Sequence, residues 1–167
     1  IPNLSSVTSM SNMFGNCYIL NGPINIDFWN TSNITNMSNL FYGSSFNQPI
    51  GNWNTSNVTD MGFMFSNATS FNQPIGNWNT TKVINMESVF SYATSFNQEI
   101  NFDFSNVVYM DGFLKNAKSF DQNIYKWNLD KGSVLGTNVE KVERELPFYK
   151  WTSENQVLVN LLTRLCD

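Results

Sequence analysis

The amino-acid sequence predicts an α/β repeat solenoid, in which each coil contributes one short parallel strand and one short helix. Two observations support this fold class. Near-identical segments recur every 24–27 residues, and the same apolar residue types recur at the same place in each segment. The stretch SFNQPIGNWNTSNVTDM at 45–61 returns as SFNQPIGNWNTTKVINM at 70–86. Such a period is typical of chains whose units bury their apolar faces only against a neighbouring unit.

Six apolar series run through the repeats and define the predicted core, and about five repeats fit between residues 1 and 133. The series are Val7, Ile34, Val58, Val83 and Val107; Met10, Met37, Met61, Met86 and Met110; Phe14, Phe41, Phe65, Phe90 and Leu114; Phe46, Phe71, Phe96 and Phe120; Ile24, Ile50, Ile75, Ile100 and Ile124; and Trp29, Trp53, Trp78, Phe102 and Trp127. Equivalent residues of successive coils should stack into ladders.

Each repeat is predicted to contain one helix and one strand. The segment 58–68 (VTDMGFMFSNA) has apolar residues at helical spacing, and Thr59 is placed to cap that helix. The segments INIDF at 24–28 and INFDF at 100–104 alternate apolar and polar residues, as a strand does. Parallel strands would then form a sheet with a spacing of about 4.8 Å per coil.

Amide side chains form two further series beside the apolar ones. These are Asn47, Asn72, Asn97 and Asp121, followed in each case by Gln48, Gln73, Gln98 and Gln122. Stacked amides can hydrogen-bond along an array. We expect structural ladders that satisfy the turn backbones, and a ligand-binding row of amides is the alternative.

The tryptophan series has two interpretations. Ile100 and Phe102 are two residues apart and share one face of a strand, while a bulge at Gly51 would return Trp53 to the same inward face as Ile50. This comparison favours core packing. The alternative is an exposed stripe that binds a partner, for which the candidate residues are Trp29, Trp53, Trp78 and Trp127.

The repeat pattern ends after Trp127, and the remaining segment is richer in charge. Ser153 and Gln156 form a capping box ahead of an apolar helix face that extends to Leu165. We therefore divide the chain into a repeat region, 1–133, and a C-terminal cap or linker with an amphipathic helix, 134–167. No similar polar cap precedes the first repeat. We expect either further residues upstream or another molecule against that end, which would allow head-to-tail stacking.

The composition argues against several function classes. The net charge is −4 and no Lys or Arg precedes Lys82, so the repeats offer no basic surface to a nucleic acid. There is no run of about 18 apolar residues to span a membrane. The chain has no His, its carboxylates are scattered, and it contains no phosphate loop or nucleophile elbow. We expect no enzyme activity, no catalytic residues, no metal site and no cofactor.

Two kinds of modification site can be read from the sequence. Sequons begin at Asn3, Asn30, Asn33, Asn36, Asn54, Asn57, Asn67 and Asn79. They are either N-glycosylation sites or turn chemistry copied by the repeat. The two cysteines, Cys17 and Cys166, are too few for a disulfide framework. They are either small buried or terminal thiols or a link between neighbouring copies.

The blocks FNQxIxxW, NTSNVTxM and MFxxAxxF recur between residues 4 and 128. This pattern resembles the BspA-like leucine-rich-repeat surface proteins, in the Mycoplasma-lipoprotein-type variant of the repeat. The resemblance implies a secreted or cell-surface protein that takes part in adhesion. We expect a non-catalytic extracellular repeat protein that binds a protein or glycan of a host or neighbouring cell. The alternative is a structural subunit that stacks end to end into a filament or coat.

Overall fold

The computed structural model describes residues 2–19, 21, 25–124 and 127. In this part of the chain five repeats, 4–30, 31–54, 55–79, 80–103 and 104–127, lie one on the next. The one helix among these residues is the 3₁₀ helix Ile26–Phe28. Strand-like pairing is limited there to isolated parallel bridges that join Ser9 to Asn36, Asn36 to Asp60, Asp60 to Asn85 and Asn85 to Tyr109.

The predicted α/β solenoid, with one strand and one helix in each coil, is therefore wrong. The described residues contain neither an α-helix nor a strand longer than a single bridge. In segment 58–68, where a helix was expected, Phe63 and Asn67 both have φ of 59°. That left-handed conformation is incompatible with a right-handed α-helix. Thr59 does not cap a helix, because its Oγ1 donates to the Thr35 carbonyl at 3.2 Å. The predicted cap at 134–167 lies outside the described residues.

The backbone donors of segment 58–68 are divided between its own turns and the next repeat. The N–H groups of Met61, Phe63, Phe65 and Asn67 donate to the carbonyls of Asn85, Glu87, Val89 and Ser91 at 2.7–2.9 Å. The N–H groups of Met64 and Ala68, in contrast, donate to carbonyls three residues earlier in the same segment, at 3.1 and 3.0 Å. An α-helix would direct each N–H to the carbonyl four residues earlier. The apolar spacing of this segment thus serves a chain of tight turns rather than a helix.

Left-handed residues recur in pairs, four residues apart, in every repeat. The pairs are Asn12 and Asn16, Asn39 and Gly43, Phe63 and Asn67, Ser88 and Tyr92, and Gly112 and Asn116. All but Phe63, Ser88 and Tyr92 are Asn or Gly, the residue types that adopt positive φ at the lowest cost. The frequent Asn of the sequence is therefore partly explained by backbone conformation.

Side-chain amides join neighbouring repeats in the FNQ segments. Asn72 Oδ1 accepts the backbone N–H of Asn97 at 2.9 Å and Nε2 of Gln98 at 3.0 Å. Asn47 Oδ1 makes the same two contacts with Asn72 and Gln73, at 2.9 and 3.1 Å. The interpretation of the Asn series as structural ladders is confirmed. The strands predicted at 24–28 and 100–104 are wrong, because Ile26–Phe28 is a 3₁₀ helix and residues 100–104 form no strand.

The core is a column of stacked aromatic rings surrounded by aliphatic side chains. Phe41, Phe65 and Phe90 stack between repeats with ring centroids 5.6 Å apart. Each also lies on a second ring of its own repeat, Phe46, Phe71 or Phe96, at 3.8, 3.9 and 4.1 Å. These rings are buried, and burial of each Phe contributes about 1.5–3 kcal/mol. Stacking of equivalent side chains holds the repeats in register.

A buried threonine begins each of the three middle repeats and bonds to the end of that repeat. Thr31, Thr55 and Thr80 are buried, and their Oγ1 atoms donate at 3.0 Å to the carbonyls of Asn54, Asn79 and Asp103, the last residues of the same repeats. In the isoleucine series the first repeat contributes Ile26, which is fully buried. The sequence alignment had placed Ile24 there, a residue outside the described part. The longer first repeat caused this misalignment.

Candidate binding surfaces

The tryptophans belong to the interior of the repeat stack. Trp53, Trp78 and Trp127 are buried, and Trp29 is partly buried against the core. The three buried indoles donate Nε1–H to the carbonyls of Ile26, Ile50 and Ile100 at 2.9, 3.1 and 3.0 Å. The rings of Trp53, Trp78 and Phe102 lie nearly parallel at 6.3 and 6.4 Å. The core-packing interpretation is confirmed, and we place no binding surface on these rings.

The sequon asparagines take part in the hydrogen bonds of the stack. Oδ1 of Asn3, Asn30, Asn54, Asn79 and Asn36 accepts the N–H two residues later, at 2.8–3.1 Å. Asn33 and Asn57 donate Nδ2 to the carbonyls of Ser5 and Ser32 in the preceding repeat. Asn67 donates to Ser66 Oγ at 3.3 Å. Turn and inter-repeat bonding accounts for these residue types, and glycosylation at these sites stays a prediction.

The two cysteines cannot be compared in the structure. Cys17 is a half-buried free thiol whose Sγ donates to the Gly15 carbonyl at 3.8 Å. Cys166 lies outside the described residues. An interchain link through these thiols stays a prediction.

A cleft of about 450 Å³ crosses the first three repeats on their turn side. We call it the tyrosine cleft, and its walls include Asn16, Tyr18, Tyr42, Gly43, Ser45 and Asn67. Tyr18 is 71% exposed, and its Oη donates to Asn16 Oδ1 at 3.1 Å. The cleft combines accessible aromatic surface with amide and hydroxyl groups.

A second cleft, of about 390 Å³, follows the IGNW segments and is called the glycine groove. Its walls include Gly51, Asn52, Gly76, Asn77, Glu99 and Asn101. A Cβ at Gly51 would lie 3.0 Å from the Pro74 carbonyl oxygen, and one at Gly76 would lie 2.9 Å from that of Glu99. Glycine therefore lets successive repeats approach closely here. Gly51 lies in a turn and not in a strand, so the predicted β-bulge is wrong. The glycine is needed here because the next repeat approaches closely.

An apolar patch lies on the outside of the fourth and fifth repeats. Ile84, Val108 and Tyr109 are 46%, 41% and 59% exposed. They are neighbours, since the N–H groups of Val108 and Tyr109 both donate to the Ile84 carbonyl at 2.8 and 3.2 Å. The equivalent positions of earlier repeats hold Thr8, Thr35 and Thr59, and Ser9, Asn36 and Asp60. Aligning the repeats column by column would have revealed this change, but the sequence reasoning followed only the recurring apolar positions.

Metal-binding and membrane-spanning features were sought in the same residues. The described part of the chain holds no cluster of three or more His, Cys, Asp or Glu side chains that could bind a metal ion. None of its helices has the length and apolar character needed to cross a membrane.

These contacts define a repeat protein in which equivalent residues of neighbouring units bond and stack. A family model described as Mycoplasma protein of unknown function, DUF285, matches residues 2–102 and again 76–142. The chain belongs to this DUF285 family. The Mycoplasma-type repeat predicted from the sequence agrees with it, and the closer relation to BspA-like proteins remains a proposal. Neither the curated proteins nor the solved structures gave a match.

Proposed function

We propose that this chain is a non-catalytic extracellular repeat protein of the BspA-like leucine-rich-repeat type, which mediates adhesion by binding a protein on a host or neighbouring cell. The observation that supports this function is the apolar patch of Ile84, Val108 and Tyr109. Contiguous exposed apolar side chains often mark interaction sites, and tyrosine is enriched at protein interfaces.

The patch is a local departure from a polar surface. The preceding repeats use threonine and short polar side chains in the same columns, although the main-chain bonds there are the same. Thr59 N–H donates to the Thr35 carbonyl at 2.8 Å, and Ile84 N–H donates to the Thr59 carbonyl at 2.9 Å. Because the polar residues already satisfy this backbone arrangement, the fold does not require Ile84 or Val108. Their exposed methyl groups are better explained by a partner that covers them.

Cell binding by matched variants tests this function. The triple variant Ile84→Thr, Val108→Thr and Tyr109→Asn restores residue types of the earlier repeats. Fluorescently labelled full chain is titrated onto cultured epithelial cells, before and after trypsin treatment of the cells. We expect saturable binding that trypsin removes and that the triple variant weakens at least about tenfold, since truncating one hot-spot side chain, a class enriched in tyrosine, costs about 2 kcal/mol or more and about 1.4 kcal/mol is tenfold in Kd.

The control variant Ile19→Thr removes an isoleucine that is 97% exposed elsewhere on the chain, and it should bind like the wild type. Equal binding by the wild type and the triple variant, or no saturable binding at all, would contradict the proposal. Circular dichroism of each variant establishes that the fold is retained.

End-to-end stacking is the second candidate function, and it rests on the two edges of the repeat stack. In repeat 4, the N–H groups of Met86, Ser88, Phe90 and Tyr92 donate to carbonyls of repeat 5 at 2.6–2.9 Å. The equivalent N–H groups of Met110, Gly112, Leu114 and Asn116 make no main-chain bond to another repeat in the described residues. The equivalent carbonyls of Ser9, Ser11, Met13 and Gly15 accept no main-chain donor there either. Gly112 and Asn116 keep some exposure, so part of this donor row is accessible.

The two rows have the same spacing and opposite hydrogen-bonding character, as a head-to-tail contact requires. Multi-angle light scattering under reducing conditions tests this function. The mass should rise with concentration, and Met13→Lys, which places a charge beside the carbonyl row, should abolish the rise. Ile84→Lys, with similar exposure away from the edge, should not. A constant monomer mass over the whole concentration range would exclude stacking.

A further inference from the structure

The tyrosine cleft is a concave surface lined by the exposed Tyr18 ring, the half-buried Tyr42 ring and hydrogen-bonding groups. Its volume of about 450 Å³ lies within the range of about 300–1,000 Å³ that is usual for small-molecule sites. The glycine groove, by contrast, has no aromatic wall and includes an acidic residue, Glu99.

The cleft is held by bonds between three repeats. Asn16 N–H donates to the Tyr42 carbonyl, and Gly43 N–H donates to the Ser66 carbonyl, at 2.6 and 2.8 Å. The hydrogen bond from Tyr18 Oη to Asn16 Oδ1 fixes the orientation of the Tyr18 ring. A rigid wall of this kind lowers the entropy cost of binding.

Gly43 keeps the floor of the cleft open. Its φ is +61°, and a Cβ there would lie 2.8 Å from Asn16 Oδ1 and 3.9 Å from Cε1 of Tyr18. Any larger residue would displace the amide that anchors Tyr18. The equivalent residue of the next repeat is Asn67, which shows that the backbone conformation alone does not demand glycine.

The chemistry of the walls selects a class of ligand. The lining consists of Asn, Ser, Thr, Gly and Tyr, with no Asp, Glu, Lys or Arg. Such walls offer no counter-charge to a phosphate, a carboxylate or an ammonium group. Asn67 uses Nδ2 to bond Ser66 Oγ, and among the described residues no donor is bound to its Oδ1. Tyr18 presents an apolar ring face next to these polar groups.

We propose that the tyrosine cleft binds a neutral saccharide of one or two rings, with Tyr18 stacking against the C–H face of a sugar and the amides and hydroxyls bonding its rim. A neutral sugar matches the walls because it has an apolar face, many hydroxyl groups and no charge. This site would add a glycan contact to the proposed cell-surface interaction. It rests on that proposal only for the assumption that the chain meets glycans at a cell surface.

Saccharide binding to the full chain is measured by saturation-transfer difference NMR and by competition. The probes are lactose, maltose, cellobiose and N,N′-diacetylchitobiose as neutral sugars, with glucuronic acid, sialyllactose and glucose 6-phosphate as charged ones. We expect at least one neutral sugar to bind and the charged ones to fail. Tyr18→Ala should weaken binding about tenfold, a change typical of removing one stacked ring, whereas Tyr18→Phe keeps the ring and should lose less.

The matched control is Tyr109→Ala, which removes an exposed tyrosine from the apolar patch and should leave saccharide binding unchanged. Failure of every neutral sugar, preference for a charged sugar, or equal binding by the wild type and Tyr18→Ala would overturn the proposal. The trypsin-sensitive cell-binding assay does not depend on this result, so failure of the cleft and failure of the proposed adhesion function are distinguishable.

Discussion

Asn72 provides the sharpest test of how neighbouring repeats are joined. The substitution Asn72→Ala removes the Oδ1 acceptor of two hydrogen bonds, one from the backbone N–H of Asn97 at 2.9 Å and one from Gln98 Nε2 at 3.0 Å. The bond from the Asn72 backbone to Asn47 Oδ1 stays in place. The variant therefore loses the ladder contact on one side only.

The expected loss of unfolding free energy follows from these contacts. A buried main-chain donor left without an acceptor costs about 1–3 kcal/mol, and a lost side-chain bond costs about 0.5–1.5 kcal/mol. Asn97 is half-buried, so water recovers part of this cost. We expect a total loss of about 1.5–3 kcal/mol, which corresponds to a decrease in Tm of roughly 3–10 °C for a chain of this size.

Urea unfolding followed by tryptophan fluorescence measures the effect. Asn72→Asp should retain most of the stability, because a carboxylate accepts the same two donors and Asp121 occupies the equivalent position of the last repeat. The control Asn77→Ala removes an exposed amide that forms no side-chain hydrogen bond within the described residues. A loss below about 0.5 kcal/mol for Asn72→Ala, less than the smallest lost hydrogen bond, would refute the reasoning, as would a loss equal to that of Asn77→Ala.

Two further stability predictions follow from the same contacts. Trp78→Phe removes the Nε1 donor to the Ile50 carbonyl and should lower the free energy of unfolding in urea by about 1–3 kcal/mol. The fold should be preserved, because Phe102 occupies the equivalent core position. An unchanged urea midpoint would contradict the role of the indole hydrogen bond. Asn116→Val places a β-branched residue at φ 56° and should lower the free energy of unfolding by about 1–2 kcal/mol, measured as a decrease in Tm. The control Asn101→Val, also at an exposed asparagine but without positive φ, should lower it clearly less. Equal losses in this second pair would show that the left-handed conformation is not what limits position 116.

The repeat register and most of the core followed from the sequence. The positions of Phe41, Phe65 and Phe90 were predicted because only an apolar residue at a fixed period can be buried between copies of itself. The inward orientation of Trp53 also followed from comparing Gly51 with the shorter segment at Ile100 and Phe102. These inferences depended on periodicity, which a repeated sequence shows directly.

The elements within each repeat could not be read in the same way. Apolar spacing from Val58 to Ala68 fits a helix, but it fits a series of three-residue turns equally well. The deciding feature is the pair of left-handed residues, and the third repeat has Phe63 at one of those positions, where sequence reasoning expects negative φ. The amide series is visible in the sequence, but the bonding of these amides to main-chain N–H groups is not. Asn72 and its equivalents bond main-chain N–H groups, so a strand ladder is not needed.

The candidate surfaces were largely invisible to the sequence analysis. The tyrosine cleft depends on Tyr18 and Tyr42, which belong to no recurring series, and on a glycine whose neighbours only the fold identifies. The apolar patch arises where two columns change from polar to apolar residues. In a repeat protein, residue types that recur at equivalent positions serve the fold. Candidate functional residues are therefore found where one repeat departs from the residue type of the others.

Alternate backbone donors of the turn segments bond to the next repeat instead of forming a helix. Hydrogen-bond couplings measured by long-range HNCO spectroscopy on the isotope-labelled chain test this bonding directly. The structure predicts a coupling between the Phe65 amide nitrogen and the Val89 carbonyl carbon, since this N···O distance is 2.9 Å. A coupling from Phe65 to the carbonyl of Met61, four residues earlier, would show an α-helix and contradict the account.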